Sequence, residues 1–137
     1  MKDFELDSRL NDDCEHVLDW PLCRVLLMRD ARYPWFILVP RQPDLRELCQ
    51  LSEDDFAQFG RESRRLSQYL LDSTGAPKLN VAALGNVVAQ LHIHHIARFH
   101  DDDAWPAPVW GAVPAQPYAQ DALEELLAMA RQQLPFG

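Results

Sequence analysis

Histidines concentrate in one short stretch of the chain. Four of the five lie within residues 92–100, and three of those fall in the six residues QLHIHH. In an extended strand successive side chains alternate between faces, so Gln90, His92 and His94 share one face while His95 lies on the other. Side chains two residues apart on a strand lie about 6–7 Å from each other. The shared face therefore offers two imidazoles and one amide to a single phosphate or a single metal ion.

Three interpretations suit this face. The first is a strand that simply carries polar residues on its solvent side. The second is metal chelation by the His-x-His pair, which needs a third and usually a fourth ligand, and only the acidic run at residues 101–103 lies near in sequence. The third is nucleophilic catalysis, in which a neutral imidazole attacks a phosphorus atom. The ordinary histidine pKa of about 6.5 leaves the nucleophilic form dominant at neutral pH.

The other histidines are expected to be structural. His95 occupies an apolar position on the opposite face, where it would lie under a helix or at a sheet edge, either packed or partly exposed. His16 and His100 are single histidines in polar surroundings.

Two pairs of strands are predicted around the histidine stretch. Residues 22–28 (LCRVLLM) and 34–39 (PWFILV) are short apolar runs, and the linker RDARY between them is short enough for a hairpin. Residues 79–83 and 89–97 form the second pair. Gly85, in the connection between them, supplies the conformational freedom of a tight turn.

Helices are predicted between and after these hairpins. Asp44 is a candidate cap for one short helix. Ser52 and Asp55 form a start that resembles a capping box for a longer, amphipathic helix, which Gly75 ends. A final helix is predicted over residues 118–133. Hairpins with helices inserted between them indicate an α+β fold with an antiparallel sheet of about five strands, one long covering helix and a C-terminal helix.

Composition limits the class of protein. The chain has 137 residues, enough for one domain, which we place over residues 1–137, with its core at about 15–110 and a C-terminal loop and helix at 101–137. Thirteen Lys and Arg against twenty-one Asp and Glu give a net charge of −8, which disfavours nucleic acid as a partner. The acidic start, MKDFELDSR, and the lack of a long apolar run predict a cytoplasmic protein with no membrane partner. Three scattered cysteines are expected to be free thiols.

The histidine strand and its surroundings resemble the signature of the histidine triad (HIT) superfamily. In LNVAALGNVVAQLHIHHIAR, histidines alternate with apolar residues after a glycine-containing turn. The chain is similar in particular to small proteobacterial HIT-domain proteins, and the similarity extends to FELDSRL, LLMRDARYPWFILVPR and WPAPVWG, most of the chain. The resemblance implies a HIT-like fold and a nucleotide hydrolase or nucleotidyl transferase that acts at an α-phosphate, on a dinucleoside polyphosphate or a nucleoside phosphoramidate. It implies no metal and no cofactor.

The resemblance also assigns roles by position. His92 would be the middle histidine of the triad, the nucleophile that forms a covalent nucleotidyl intermediate. His94 would be the last, in contact with phosphate oxygens or with the nucleophile. Gly85 and Asn86 would present groups to the phosphate.

Three further residues would complete the substrate site. Asp30 ends an early strand and could meet the ribose hydroxyls. Asn80 matches a position where the family often has asparagine near the phosphates. Arg98 could pair with phosphate, although an exposed arginine at a strand end is its default interpretation.

Two positions depart from the family pattern. Gln90 replaces the first histidine of the triad and completes the predicted catalytic set with His92 and His94, but an amide cannot exchange a proton at neutral pH. Val87 stands where hydrolase relatives commonly have Ser or Thr, and the missing hydroxyl removes a hydrogen bond worth about 1.5–3 kcal/mol. The alternative to an enzyme is therefore a catalytically silent nucleotide-binding protein, and a zinc-dependent hydrolase built on the His-x-His pair is a third interpretation.

Residues 101–117 hold four of the ten prolines and two of the four tryptophans, which predicts an extended loop. Trp105 and Trp110 would pin it. An open sheet leaves unpaired edges that a second subunit can cover. The resemblance implies a two-fold homodimer in which this C-terminal stretch approaches the partner's pocket.

Overall fold

The computed structural model describes residues 2–136. The strands in chain order are β1 (Cys14–Asp19), β2 (Cys23–Met28), β3 (Trp35–Pro40), β4 (Lys78–Ala82) and β5 (Ile93–Arg98). The helices are α1 (Ser8–Asp13), α2 (Glu53–Thr74) and α3 (Gln120–Gln133), with one 3-10 turn at Leu48–Gln50. The domain extent of residues 1–137 stays a prediction, and Met1 and Gly137 lie outside the described residues. No helix within residues 2–136 combines the length and apolar character that crossing a bilayer demands.

The five described strands form one sheet in the order β1-β2-β3-β5-β4, and each neighbouring pair is antiparallel. This confirms the predicted α+β class and the strand number. Strand β5, which carries the histidines, lies between β3 and β4. Its backbone is therefore hydrogen-bonded on both sides, which gives the site a rigid support.

Helix α2 covers one face of the sheet, and its ends are those that the sequence predicts. The Ser52 hydroxyl accepts a hydrogen bond from the Asp55 N–H at 3.1 Å. Gly75 has a φ of +69°, a left-handed conformation that favours glycine at the end of a helix. Leu66 and Leu70 of this helix have no exposed surface and pack into the larger of two apolar clusters.

The opposite face of the sheet is covered by a short helix and a loop. Leu10 of α1 and Val109 of the loop after β5 share a second apolar cluster with Trp35 and Ile96 of the sheet. Because these covering segments are short, this side retains concave spaces beside β5. The histidine pair lies here.

Strand β5 is shorter than predicted. The expected strand at 89–97 is wrong in its first half, because β5 runs over Ile93–Arg98 and residues 83–92 form no strand. The backbone of this segment finds its partners outside the sheet: the Leu91 N–H donates to the Leu45 carbonyl at 2.9 Å. The second pair of strands is antiparallel as predicted, but a long loop replaces the tight turn.

Smaller differences fall at the chain ends and around Asp44. The sequence did not predict α1 or β1, since the first residues are largely polar. Asp44 caps no helix; it has a φ of +61°, and its carboxylate pairs with Lys2 at 3.1 Å. The final helix begins at Gln120 rather than residue 118.

Candidate functional site

His92 and His94 lie side by side on the site face of the sheet. Their ring centroids are 4.9 Å apart and the ring planes meet at 71°. Only 6% and 4% of their surfaces are exposed. Both border a cavity of about 490 Å³ whose other walls are the loop of residues 84–88 and helix α1, with Met28, Trp35 and Trp110.

The His92 ring is oriented by its own backbone. Its Nδ1 lies 2.6 Å from the carbonyl oxygen of Gln90. A carbonyl only accepts hydrogen bonds, so Nδ1 carries the proton. In the neutral ring, Nε2 then has a free lone pair, which is the state that a nucleophile needs.

The His94 ring is in the opposite tautomer. The indole N–H of Trp35 donates to His94 Nδ1 at 3.0 Å, so in the neutral ring the proton is on Nε2. Burial, and to a lesser degree the imidazoles of His92 and His95, lowers the pKa of His94 to about 3. His94 is therefore neutral at pH 7 and can donate one hydrogen bond from Nε2.

The loop of residues 84–88, which contains Gly85 and Asn86, lines the same cavity as the histidine pair. Gly85 has a φ of +75°, which side chains rarely adopt. The Val87 carbonyl accepts a hydrogen bond from the Arg9 guanidinium at 3.1 Å, which joins this loop to α1. The Val87 side chain is 77% exposed and brings no hydroxyl to the cavity.

Gln90 is not among the residues that line the cavity with His92 and His94, although the sequence predicts that the three side chains share one face. Its amide oxygen accepts from the Asp7 N–H at 2.8 Å, and its amide nitrogen donates to the Glu5 carbonyl at 2.8 Å. Because residue 90 precedes β5, strand alternation does not govern its direction. Gln90 instead holds the N-terminal segment that leads into α1.

Asp30 lies in the turn after β2, next to the main cavity. It is 4% exposed, and its Oδ1 accepts from the N–H groups of Arg32 at 3.0 Å and Gln116 at 3.2 Å. It borders a second cavity of about 370 Å³. The two cavities share five lining residues, Asp12, Asp13, Met28, Trp35 and Trp110. Asp30, the residue predicted to contact ribose, therefore lines the neighbouring cavity and not the cavity of the histidine pair.

Arg98 and Asn80 are not brought to the cavity. Arg98 is 1% exposed, and it donates to the Asp102 carboxylate at 2.7 Å, to Asn80 Oδ1 at 2.7 Å and to the Ala107 carbonyl at 2.7 Å. This hydrogen bonding from Arg98 holds the pKa of Asp102 well below its usual range. The prediction that Arg98 is an exposed arginine at a strand end is therefore wrong. The side chain anchors the loop after β5 and does not line the cavity.

His95 is packed under α2, as predicted. It has no exposed surface, its Nδ1 donates to the Ile93 carbonyl at 3.0 Å, and its Nε2 lies 2.8 Å from the Ser63 hydroxyl. Burial lowers the pKa of His95 to about 4. This histidine is a neutral core residue.

A zinc site needs a third ligand near the histidine pair. Within the described chain, no group of three or more His, Cys, Asp and Glu side chains is arranged to hold a metal ion. In the acidic run at residues 101–103, Asp102 pairs with Arg98 and Asp103 pairs with Arg32. The donor set at this site does not fit a protein-held zinc ion.

Sequence reasoning missed two contributors to the site. The sequence places Trp35 in an apolar strand, and its hydrogen bond to His94 joins residues 59 positions apart. Arg9 belongs to an α1 that the sequence did not predict. A tryptophan at the start of a strand carries one polar atom that must find a partner when buried, and that was the available signal for Trp35.

Comparisons with known proteins agree on one family. Residues 9–101 match the family model described as HIT domain. A histidine triad protein from Bradyrhizobium japonicum is 42% identical over 96% of this chain and 98% of its own, with a TM-score of 0.93. One from Marinobacter aquaeolei VT8 is 42% identical over 97% of each chain, with a TM-score of 0.94. A hypothetical histidine triad nucleotide-binding protein from Sulfolobus tokodaii strain7 is 17% identical over 92% of this chain and 88% of its own, with a TM-score of 0.66, and shares the fold. No curated protein matches the chain.

Proposed function

The chain belongs to the HIT domain family, and we propose that it is a nucleotide-phosphate hydrolase or nucleotidyl transferase that acts at an α-phosphate through a covalent intermediate on His92. Members of this family generally bind nucleotides or hydrolyse them. The observation that carries the proposal is the hydrogen bond from His92 Nδ1 to the Gln90 carbonyl. This bond keeps the proton of the neutral ring on Nδ1, so that the lone pair of Nε2 is available to attack phosphorus.

In the proposed first step, the Nε2 lone pair of His92 attacks the α-phosphorus. The N–P bond forms while the bond from phosphorus to the leaving group breaks, and the electron pair departs with the leaving group. In the second step a water molecule attacks the same phosphorus, the N–P electron pair returns to Nε2, and the water proton is released to solvent. Another acceptor alcohol or phosphate in place of water would make the reaction a transfer.

The neighbouring His94 is suited to stabilise charge on the phosphate. A neutral imidazole with its proton on Nε2 donates to a non-bridging oxygen as that oxygen gains charge. The 4.9 Å separation of the ring centroids allows both rings to contact one phosphoryl group. His94 therefore donates a hydrogen bond without transferring a proton.

The walls of the two cavities suit a nucleoside. Leu10, Met28, Trp35 and Trp110 supply apolar surface for a base, and Asp30 offers a carboxylate to ribose hydroxyls. Gln90 supplies no proton to a leaving group, so substrates whose leaving group departs as an anion are favoured. A dinucleoside polyphosphate is the first substrate to test.

The test compares the wild-type protein with His92→Ala on a dinucleoside polyphosphate. We expect wild-type turnover and, in intact-mass spectra of samples quenched at alkaline pH, an added mass of one nucleotidyl group, a nucleoside monophosphate less one water, that His92→Ala does not show. His92→Ala should fold normally and lose at least about a hundredfold to a thousandfold in kcat. Turnover near the wild-type rate in that variant would reject the mechanism.

A second candidate function is a catalytically silent nucleotide-binding protein. It is favoured by the Gln90 amide, whose hydrogen bonds go to the backbone of the N-terminal segment, and by Val87, which has no hydroxyl. Nucleotide binding by calorimetry with neither adduct nor product would select this function over the enzyme.

A further inference from the structure

The indole N–H of Trp35 is hydrogen-bonded to Nδ1 of His94. We propose that Trp35 is a positioning residue that holds His94 in the Nε2–H tautomer, so that the two histidines present one lone pair and one N–H to the same phosphate. The effect on turnover rests on the proposed function, whereas the effect on the tautomer does not.

The position of Trp35 in the sheet explains its reach. It is the first residue of β3, which pairs with β5 so that Ile37 lies opposite His94 and Trp35 lies opposite Ile96. Trp35 and His94 are therefore diagonal neighbours on the same face, within reach of a large side chain. The indole spans this diagonal and places its nitrogen 3.0 Å from His94 Nδ1.

The indole ring has little freedom to turn. Trp35 is 7% exposed and packs edge-on against Tyr33, with centroids 6.3 Å apart, and against Trp110, with centroids 6.1 Å apart. Ring packing of this kind keeps the N–H aimed at one acceptor.

An indole donates one hydrogen bond and accepts none. If the His94 proton moved to Nδ1, two N–H groups would face each other and the buried indole N–H would lose its partner. Protonation of both ring nitrogens would have the same effect and would add a charge in a buried place. The packing of Trp35 thus disfavours every form of His94 other than the Nε2–H tautomer.

The ionisable groups around His94 do not reverse this preference. His92 lies beside it, His95 lies on the opposite face of the same strand, and Arg9, Asp12 and Asp13 line the shared cavity from the α1 side. The aromatic side chains nearest to the ring, Trp35 and Trp110, carry no charge. The donor to His94 Nδ1 is the neutral indole N–H of Trp35. Its preference for the Nε2–H tautomer should therefore not vary between pH 5 and pH 9.

The first measurement uses the unmodified protein. With uniform 15N labelling, long-range 1H–15N spectra identify which His94 nitrogen is protonated, and a scalar coupling across the N–H···N bond reports the contact with Trp35. We expect an unprotonated Nδ1, a protonated Nε2 and a measurable coupling. A proton on Nδ1 of His94 would overturn the proposal without any test of activity.

The second measurement compares two matched variants. Trp35→Phe keeps an aromatic ring and removes the N–H; Trp110→Phe makes the same change in a ring whose centroid is 5.0 Å from His94 and whose buried N–H meets no protein acceptor among the described residues. We expect mixed His94 tautomers in Trp35→Phe only. On a substrate that the wild type turns over, kcat of Trp35→Phe should fall by about tenfold with KM within about twofold, as expected when one transition-state donor is misplaced.

The outcomes separate the two proposals. An unchanged tautomer in Trp35→Phe, or mixed tautomers in Trp110→Phe alone, would overturn the role of Trp35. A mixed tautomer with kcat unchanged would overturn its role in turnover. If the wild type shows the expected coupling but turns over no nucleotide, the enzyme proposal fails while the tautomer assignment stands. The wild-type spectra decide that assignment even if Trp35→Phe does not fold.

Discussion

His92, His94 and His95 are near neighbours in the chain but make different hydrogen bonds. His92 donates from Nδ1 to a backbone carbonyl, His94 accepts at Nδ1 from an indole, and His95 bonds a serine hydroxyl under α2. The same side-chain type is therefore a candidate nucleophile, a candidate donor and a core residue. The partner and the burial, rather than the residue type, decide between these roles.

Stability should fall in mild acid because two of these histidines are buried and neutral. Their pKa values are lowered to about 3 for His94 and about 4 for His95, so between pH 6 and pH 4.5 the unfolded chain binds more protons than the folded one. The stabilisation is complete above about pH 6.5 and is lost as pH falls, with a slope of about 1.4 kcal/mol per pH unit for each histidine.

Urea unfolding followed at several pH values measures this slope. His95→Gln retains a side chain that can donate and accept but cannot titrate, so it should remove about half of the slope. A free energy of unfolding that stays constant between pH 6.5 and pH 4.5 in the wild type would contradict the neutral, buried state of both rings.

Gln90 is expected to affect binding more than chemistry. Gln90→Ala removes two hydrogen bonds to the N-terminal segment, which should lower the free energy of unfolding by about 1–2 kcal/mol. Because that segment leads into α1, a wall of the cavity, KM should rise by about three- to tenfold while kcat and its pH profile change little. A kcat lower by a hundredfold with KM unchanged would instead indicate that the Gln90 amide stabilises the transition state directly.

At the scale of elements, β5 carries different functions along its length. His94 near its start faces the cavity, whereas Arg98 at its end, about 13 Å further along the strand, anchors the following loop. That loop carries Trp110, whose ring centroid lies 5.0 Å from that of His94, and Val109, which belongs to the same apolar cluster as Trp35. The Arg98–Asp102 pair therefore holds the loop that carries Trp110, although neither Arg98 nor Asp102 lines the cavity.

Removal of the Asp102 charge should destabilise the loop. Asp102 accepts from Arg98 and from the N–H groups of Phe99, Ala104 and Trp105, and Asp102→Asn would leave a buried guanidinium without its counter-charge. A loss of about 3–5 kcal/mol in the free energy of unfolding is expected from breaking such a pair. Chemical denaturation measures it, with Asp103→Asn, a 48% exposed side chain, as the matched control. Equal effects of the two variants would contradict the assignment.

At the scale of the whole molecule, the sheet ends in two strands that pair on one side only, β1 and β4. Chain segments near the β4 edge expose apolar side chains: Val81 is 49% exposed, Leu84 45% and Val87 77%. Exposed edges with apolar residues favour pairing with another chain. This is the physical part of the case for a homodimer, and the resemblance described above supplies the rest.

Sedimentation equilibrium at micromolar concentration should give a mass near twice 15.8 kDa. Val81→Lys places a charge on the β4 edge and should weaken association by at least about tenfold, whereas Met129→Lys, a 47% exposed position on α3, should not. A monomeric wild-type protein would reject the dimer, and equal association of both variants would move the interface away from β4.

Local patterns in the sequence were sufficient to predict the fold class, the β2–β3 pair, both ends of α2 and the face of β5 on which His95 lies. Each of these depends on side-chain periodicity or capping between residues a few positions apart. The family motif likewise singled out His92, His94 and the Gly85 loop, and the structure brings these together.

The tertiary structure alone decided the proton positions and the partners. The Gln90 amide bonds residues 83 and 85 positions away, Trp35 bonds His94 across two strands, and Arg98 is directed to Asp102 and Asn80 instead of the cavity. A hydrogen-bond partner and the degree of desolvation are set by residues that are distant in the sequence and close in space. No spacing along the chain encodes them, and for that reason the two tautomers of the histidine pair became visible only in the folded molecule.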